Sequence, residues 1–342
     1  MKRWLGLLRQ RSEALLLTGA ALALGGCLLD PGITMQRPRY EEIVVLDVTQ
    51  SMNVEDQQSA GKPISRLRYA KQALRDTLLK LPCGSKIGWG LFTEYRSYLL
   101  FEPVEVCANL TELRATLARI DGRMAWTGNS EIAKGLHSGL VIAKQLPGVP
   151  SLVFITDGQE APPLNPRHRP AFDDKPGEVS GLLVGVGDLK PSPIPKTDPM
   201  GRSIGFWKAD EVMQSDPYAQ GRGGSVAGEL MKDDDGTPVA RVPGASPGSE
   251  HLSALREAYL RLLGSELGLG FYRLQSTEGL AAAMMAPALE RPVTVRADAR
   301  MALAGLAVAL LLARFAAPNW QRWRGKRAAL TAKRRGGRPR TD

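Results

Sequence analysis

Between residues 42 and 290, short apolar runs alternate with stretches of helical period, and that alternation most narrows the folds open to the chain. Residues 42–47 (EIVVLD), 151–156 (SLVFIT) and 181–186 (GLLVGV) are long enough for buried strands and too short for helices. Leu67, Ala70, Leu74, Leu78 and Leu81 recur at helical spacing until Pro82 stops the helix. Two further strands are expected over 86–92 and 97–106, the pair running antiparallel. Asn109 is placed to cap a helix whose inner face is Leu110, Leu113, Leu117 and Ile120. A third helix, over about 130–146, carries Ile132, Leu136, Leu140 and Ala143 on one side, and Gly135 and Gly139 would let it sit close on a sheet. Periodicity returns at Leu252, Leu255, Tyr259 and Leu262, then a strand over 271–274 and a helix after Ser276. Such an order predicts an α/β fold of three layers, helices covering both faces of a mostly parallel central sheet with one antiparallel edge strand. Residues 188–250, rich in Pro, Gly and Asp and without period, read as an insertion into a domain spanning 41–290.

The net charge of +10 suggests a nucleic-acid partner until its placement is followed. Residues 318–342 carry nine Lys or Arg against one acid, and the first 26 residues add a net +3. The part between is close to neutral, so no nucleic-acid partner is expected.

Both basic ends read as membrane address. Residues 1–27 open basic, run apolar from Ala14 to Leu24 and end Leu-Gly-Gly-Cys, the form of a secretory signal closing on a bacterial lipobox with Cys27 as the lipidated residue. The alternative is a signal that stays as an anchor. A linker over 28–40 would lead into the domain. Residues 301–317 form an apolar run of about the minimum length for a bilayer span, interrupted by Arg314. Trp320 and Trp323 stand where an interfacial belt would lie, and the basic tail 318–342 predicts a cytoplasmic end. A surface amphipathic helix is the alternative. The expected location is the bacterial inner membrane, with the main domain in the periplasm. That oxidising compartment favours a disulfide between Cys83 and Cys107, which the antiparallel strand pair would bring side by side; the alternative is two separate buried thiols.

In open α/β sheets, ligands bind at the carboxyl ends of the strands. Three segments reach that edge here: Asp47-Val48-Thr49-Gln50-Ser51, Trp126-Thr127-Gly128-Asn129-Ser130-Glu131 and Thr156-Asp157-Gly158. Alternate residues of an extended turn point the same way, so Asp47, Thr49 and Ser51 can converge. Carboxylates and hydroxyls without His or Cys suit a hard divalent cation such as Mg²⁺ or Ca²⁺ rather than zinc.

These segments, in this order, resemble the metal-ion-dependent adhesion site of von Willebrand factor A domains, whose pattern is D-x-S-x-S, then a Thr, then an Asp. Asp47, Ser51 and Asp157 match it directly, and Thr49 keeps a hydroxyl where the family has Ser. The family's Thr precedes Gly-Leu by five residues, which places Ser130 there ahead of Gly135-Leu136, with Thr127 in reserve. The resemblance covers roughly 41–187 and 251–290. It implies recognition rather than catalysis, the cation taking its last ligand from an acidic residue of a partner protein. Within the family, residues 46–52, 128–136, 155–163 (ITDGQEAPP) and Gly205-Phe206-Trp207-Lys208 are similar to accessory proteins of periplasmic methanol dehydrogenase, the MxaL type. That similarity implies a role in maturing the calcium- and quinone-containing dehydrogenase, beside membrane accessory proteins and an AAA+ ATPase. The alternatives are a general adhesion or stress-response module with another client, or a metal-dependent phosphohydrolase, for which Thr49 stands where a second Asp would be wanted.

Overall fold

The computed structural model describes residues 2–29, 31–164, 168–209, 211–212, 229–233 and 251–316. Two compact units emerge, one from residues 38–292 and one from 1–37 with 293–342.

The larger unit is built on a seven-stranded sheet. Its strands are β1 (Glu41–Asp47), β2 (Lys86–Thr93), β3 (Arg96–Leu99), β4 (Val104–Glu105), β5 (Ser151–Thr156), β6 (Gly181–Gly185) and β7 (Gly270–Arg273). The order is β7-β6-β5-β1-β2-β3, parallel from β7 through β2. β3 and β4 both pair antiparallel with β2. The single edge strand expected over 97–106 is thus broken in two. Pro103 lies in the gap and has no N–H to give a ladder, which is reason enough for the break.

Side chains alternate across β1: Val44 and Leu46 enter one core, Ile43 and Val45 the other. The first core is closed by α1 (Arg66–Leu78), α2 (Leu110–Arg119) and α5 (Thr277–Met284), the second by α3 (Ile132–Gln145) and α4 (Glu257–Leu267). Trp89 is fully buried under α2 and donates its indole N–H to Leu113 O at 3.1 Å. α3 needs Gly135 for its close seat on the sheet: a Cβ there would lie 2.0 Å from the Phe92 ring. Asn109 stands at the start of α2, but its side chain donates to Glu105 O instead of capping the helix. Cys83 and Cys107 are joined as a disulfide just ahead of β2 and just past β4.

Two expectations change. Leu252 is not helical: residues Leu252–Ser253 pair with Ser192–Pro193, and α4 begins only at Glu257. The insertion is not featureless either. A hairpin joins Pro195–Thr197 to Ser203–Phe206, and Glu229–Asp233 pairs with His168–Phe172.

The smaller unit holds the helix Lys2–Leu28, a helical stretch over 300–316, and an antiparallel ribbon of Gly32–Arg37 with Val293–Asp298. The region read as a linker therefore contains a strand. Ala20, Ala23 and Ala307 form the small buried seam between the helices, packed by Leu310 and Leu311. Large apolar side chains face outward instead: Leu15, Leu22, Leu28, Met301 and Leu312 are all exposed. The first helix runs unbroken through Gly25-Gly26-Cys27, and Cys27 Sγ donates to Ala23 O at 3.4 Å. Among the described residues no helix is long and apolar enough to cross a membrane. The basic tail, Trp320 and Trp323 lie outside the described residues.

Candidate functional site

Parallel pairing fixes the site. Because β1, β2 and β5 run side by side in one direction, the loops after Asp47, Thr93 and Thr156 leave from the same edge of the sheet. Asp47, Thr49, Ser51, Ser130 and Asp157 are all buried there.

After β1 the chain turns into a short 3₁₀ turn, Gln50–Asn53, and that turn folds the hydroxyls back. Thr49 donates to Asp47 Oδ1 from both its backbone N, at 2.9 Å, and its Oγ1, at 2.6 Å. Thr49 Oγ1 and Ser51 Oγ lie 3.4 Å apart. Asp47 Oδ2 accepts from Thr156 Oγ1 at 2.6 Å, which ties the first loop to the end of β5. Burial, and next the nearby Asp157 carboxylate, push the Asp47 carboxyl up to about 7, against the pull of these hydrogen bonds. Asp157 is thus near enough for its charge to act on Asp47.

Asp157 is held on both oxygens. Oδ1 accepts from Gln159 N at 2.9 Å, and Oδ2 accepts from Arg66 Nη1 at 2.6 Å and Ser253 Oγ at 3.1 Å. Ser130 is locked by its backbone. Its N–H and carbonyl exchange hydrogen bonds with Ala161 at 2.7 and 2.8 Å, and it bridges to Glu94 just past β2. Its hydroxyl is buried without a hydrogen-bond partner among the described residues. Thr127 is half-buried, and its Oγ1 already accepts from Asn129 N at 2.9 Å.

An orphaned buried hydroxyl is costly unless something outside the hydrogen-bond network takes it. At the same sheet edge as buried carboxylates and hydroxyls with no His or Cys among them, that orphan fits a hard divalent cation. The residues present therefore suit the ion that the sequence pattern implies.

Sequence reasoning missed several residues around this edge. Arg66, the first residue of α1, is fully buried and ion-paired with both Asp56 and Asp157. A lone Arg at a helix start carries no signal that separates it from a solvated surface charge. Glu160 is buried too. It accepts from Ile132 N and Ala133 N, so it caps α3, and it takes the Tyr259 hydroxyl; burial raises its carboxyl to about 8. That cap fixes the start of α3 directly behind Ser130. An acid two residues beyond Asp157-Gly158 was visible in the sequence, but nothing there indicated its target.

Residues 43–159 match the model of the von Willebrand factor type A domain. No curated protein matches the chain by sequence. Solved structures similar to it include an aerotolerance-related membrane protein from Bacteroides fragilis with multiple mutations to serines. It is 16% identical over 72% of this chain and 96% of that one, with a TM-score of 0.43. An uncharacterized membrane-spanning protein from Vibrio fischeri is 17% identical over 70% and 93%, TM-score 0.26. A von Willebrand factor type A protein from Catenulispora acidiphila is 11% identical over 74% of this chain but only 43% of its own, TM-score 0.36. At such identities and scores these likenesses carry no argument about binding or activity.

Proposed function

This chain carries a von Willebrand factor type A domain over residues 43–159, and from that premise we propose that it is a recognition protein rather than an enzyme. Its site would hold one divalent cation, Mg²⁺ or Ca²⁺, on Asp47, Thr49, Ser51, Ser130 and Asp157, and capture an acidic side chain of a partner protein. The observation that carries this reading is the Ser130 hydroxyl, buried and unpartnered among the described residues at the same sheet edge as the buried oxygens of Asp47, Thr49, Ser51 and Asp157. The bound cation supplies positive charge that few carboxylates neutralise, and so an attraction for an outside carboxylate. The chain's part is to hold the donors still: Thr156 fixes Asp47, Gln159 and Arg66 fix Asp157, and Glu160 sets the helix behind Ser130. No nucleophile and base are needed for this work.

We place the domain at the outer face of a bacterial inner membrane. In support, the smaller unit turns large apolar residues outward from a seam of alanines, the pattern of helices whose surroundings are apolar. The finer client, a periplasmic methanol dehydrogenase undergoing maturation with membrane accessory proteins and an AAA+ ATPase, rests on the sequence resemblance alone.

Full-length protein in mild detergent, immobilised and exposed to membrane and periplasmic extracts, tests the reading. Capture of one client in Mg²⁺ or Ca²⁺, its release by chelator and its loss in Asp47→Ala are expected. Equal capture in chelator and in metal would overturn it. Dehydrogenase subunits in the eluate would support the finer client, and their absence beside another metal-dependent client would remove it.

A further inference from the structure

Arg66 spends every donor it has inside the site. Nε donates to Asp56 Oδ2 at 2.9 Å. Nη2 donates to Asp56 Oδ2 at 2.6 Å and Ser253 O at 3.0 Å. Nη1 donates to Asp157 Oδ2 and Ser253 Oγ, both at 2.6 Å. Ser253 Oγ passes its own hydrogen to Asp157 Oδ2. That oxygen thus receives two donors, about the number its lone pairs can serve, and only Oδ1 keeps capacity for another charge. The arrangement is built in from both sides. Gly187, at φ 131°, lies where a Cβ would come 2.8 Å from Arg66 Nε. Asp188 N donates to Asp56 Oδ2, so both roots of the insertion, at 188 and 253, are fastened to this ion pair.

We propose that Arg66 sets the affinity of the site: it shares Asp157 with the incoming cation as an internal rival and keeps the metal loosely held until a partner's carboxylate arrives. The inference rests on the metal reading above and concerns how strongly, not whether, the ion binds. Two cations drawing on one carboxylate repel each other, and a fixed guanidinium cannot be titrated away. The same ion pair keeps Asp157 satisfied before the metal comes, so the metal-free domain stays folded.

Calorimetric titration of Mg²⁺ and of Ca²⁺ into the full-length protein in detergent reads the affinity directly, with thermal unfolding in chelator alongside. Arg66→Gln is expected to tighten metal binding roughly tenfold while lowering the unfolding temperature in chelator. Asp56→Asn, which leaves the Arg66 charge less neutralised, is expected to weaken metal binding by a similar roughly tenfold factor. The tightening by Arg66→Gln should shrink in an Asp157→Asn background, where the competition for that carboxylate is gone and only through-space repulsion remains, an outcome that a purely structural role for Arg66 would not give. Unchanged affinity, the same sign in both single variants, or a gain left undiminished by Asp157→Asn would overturn the proposal. If Arg66→Gln fails to fold, Asp56→Asn decides by its sign. A wild-type protein that binds neither ion would instead sink the metal reading itself.

Discussion

Two buried acids stand at opposite ends of β1, and their surroundings differ completely. Asp47, at the carboxyl end, accepts three hydrogen bonds from Thr49 and Thr156. Glu42, at the other end, has no hydrogen-bond partner for either oxygen among the described residues, and neither does the hydroxyl of Ser151, its in-register neighbour on β5. Burial alone pushes the Glu42 carboxyl up to about 8, and burial with the nearby Asp157 pushes Asp47 up to about 7. Raised carboxyls alone therefore do not distinguish a site. The distinction lies in the donors: Thr49 and Thr156 offer Asp47 hydrogen bonds that favour its charged form against burial and Asp157, whereas burial acts on Glu42 unopposed.

The largest effect expected from this contrast is on metal. Asp47→Ala should abolish binding in a Mg²⁺ or Ca²⁺ titration, whereas Glu42→Ala should leave affinity within about twofold, being remote from the donors. Comparable losses from both would break the comparison. The next effect is on stability. Glu42 has its folded-state carboxyl raised above the unfolded value, so the stabilisation is fully present below the unfolded value near 4.5 and is lost as pH rises through about 8. Denaturant unfolding of the wild type between pH 5 and 8 should show a loss of about 3 kcal/mol from this group. Glu42→Gln, neutral at every pH, should flatten that slope and be the more stable protein at pH 8. An unchanged slope in the variant would mean that Glu42 finds a partner in solution.

The same contrast explains what the sequence could disclose. Asp47, Thr49, Ser51 and Asp157 were legible because strand ends dictate where they go: alternation along β1 and parallel pairing with β5 leave little freedom. Arg66, Asp56 and Ser253 were not legible, since their meeting depends on how the roots of the insertion return to the sheet, over separations that no local pattern encodes. The strand Leu252–Ser253 was hidden by a coincidence of spacing. Leu252, Leu255 and Tyr259 fit a helical period, yet Leu252 lies before the turn and only Tyr259 belongs to the buried face of α4. The pairing of His168–Phe172 with Glu229–Asp233 was masked by Pro170, which argues against a strand unless it sits at an edge. Glu42 was readable only as the polar start of an apolar run, because total burial is a tertiary property.

Ser130 and Thr127 give the smallest expected effect and the finest test of the site. Both lie on the loop before α3, and family spacing and burial favour the same residue. Removing a buried hydroxyl that has no partner among the described residues relieves an unsatisfied group, so Ser130→Ala in chelator should leave stability within about 0.5 kcal/mol of wild type or raise it slightly. Adding metal should expose the loss: affinity is expected to fall roughly tenfold, the scale of one neutral oxygen ligand or of a close supporting contact. Thr127→Ala gives up only the turn bond from Asn129 N and should leave metal affinity unchanged. Titration of both variants beside the wild type decides between them. A drop with Thr127→Ala and none with Ser130→Ala would transfer the ligand to Thr127 and leave the Ser130 hydroxyl as a buried group that no cation ever reaches.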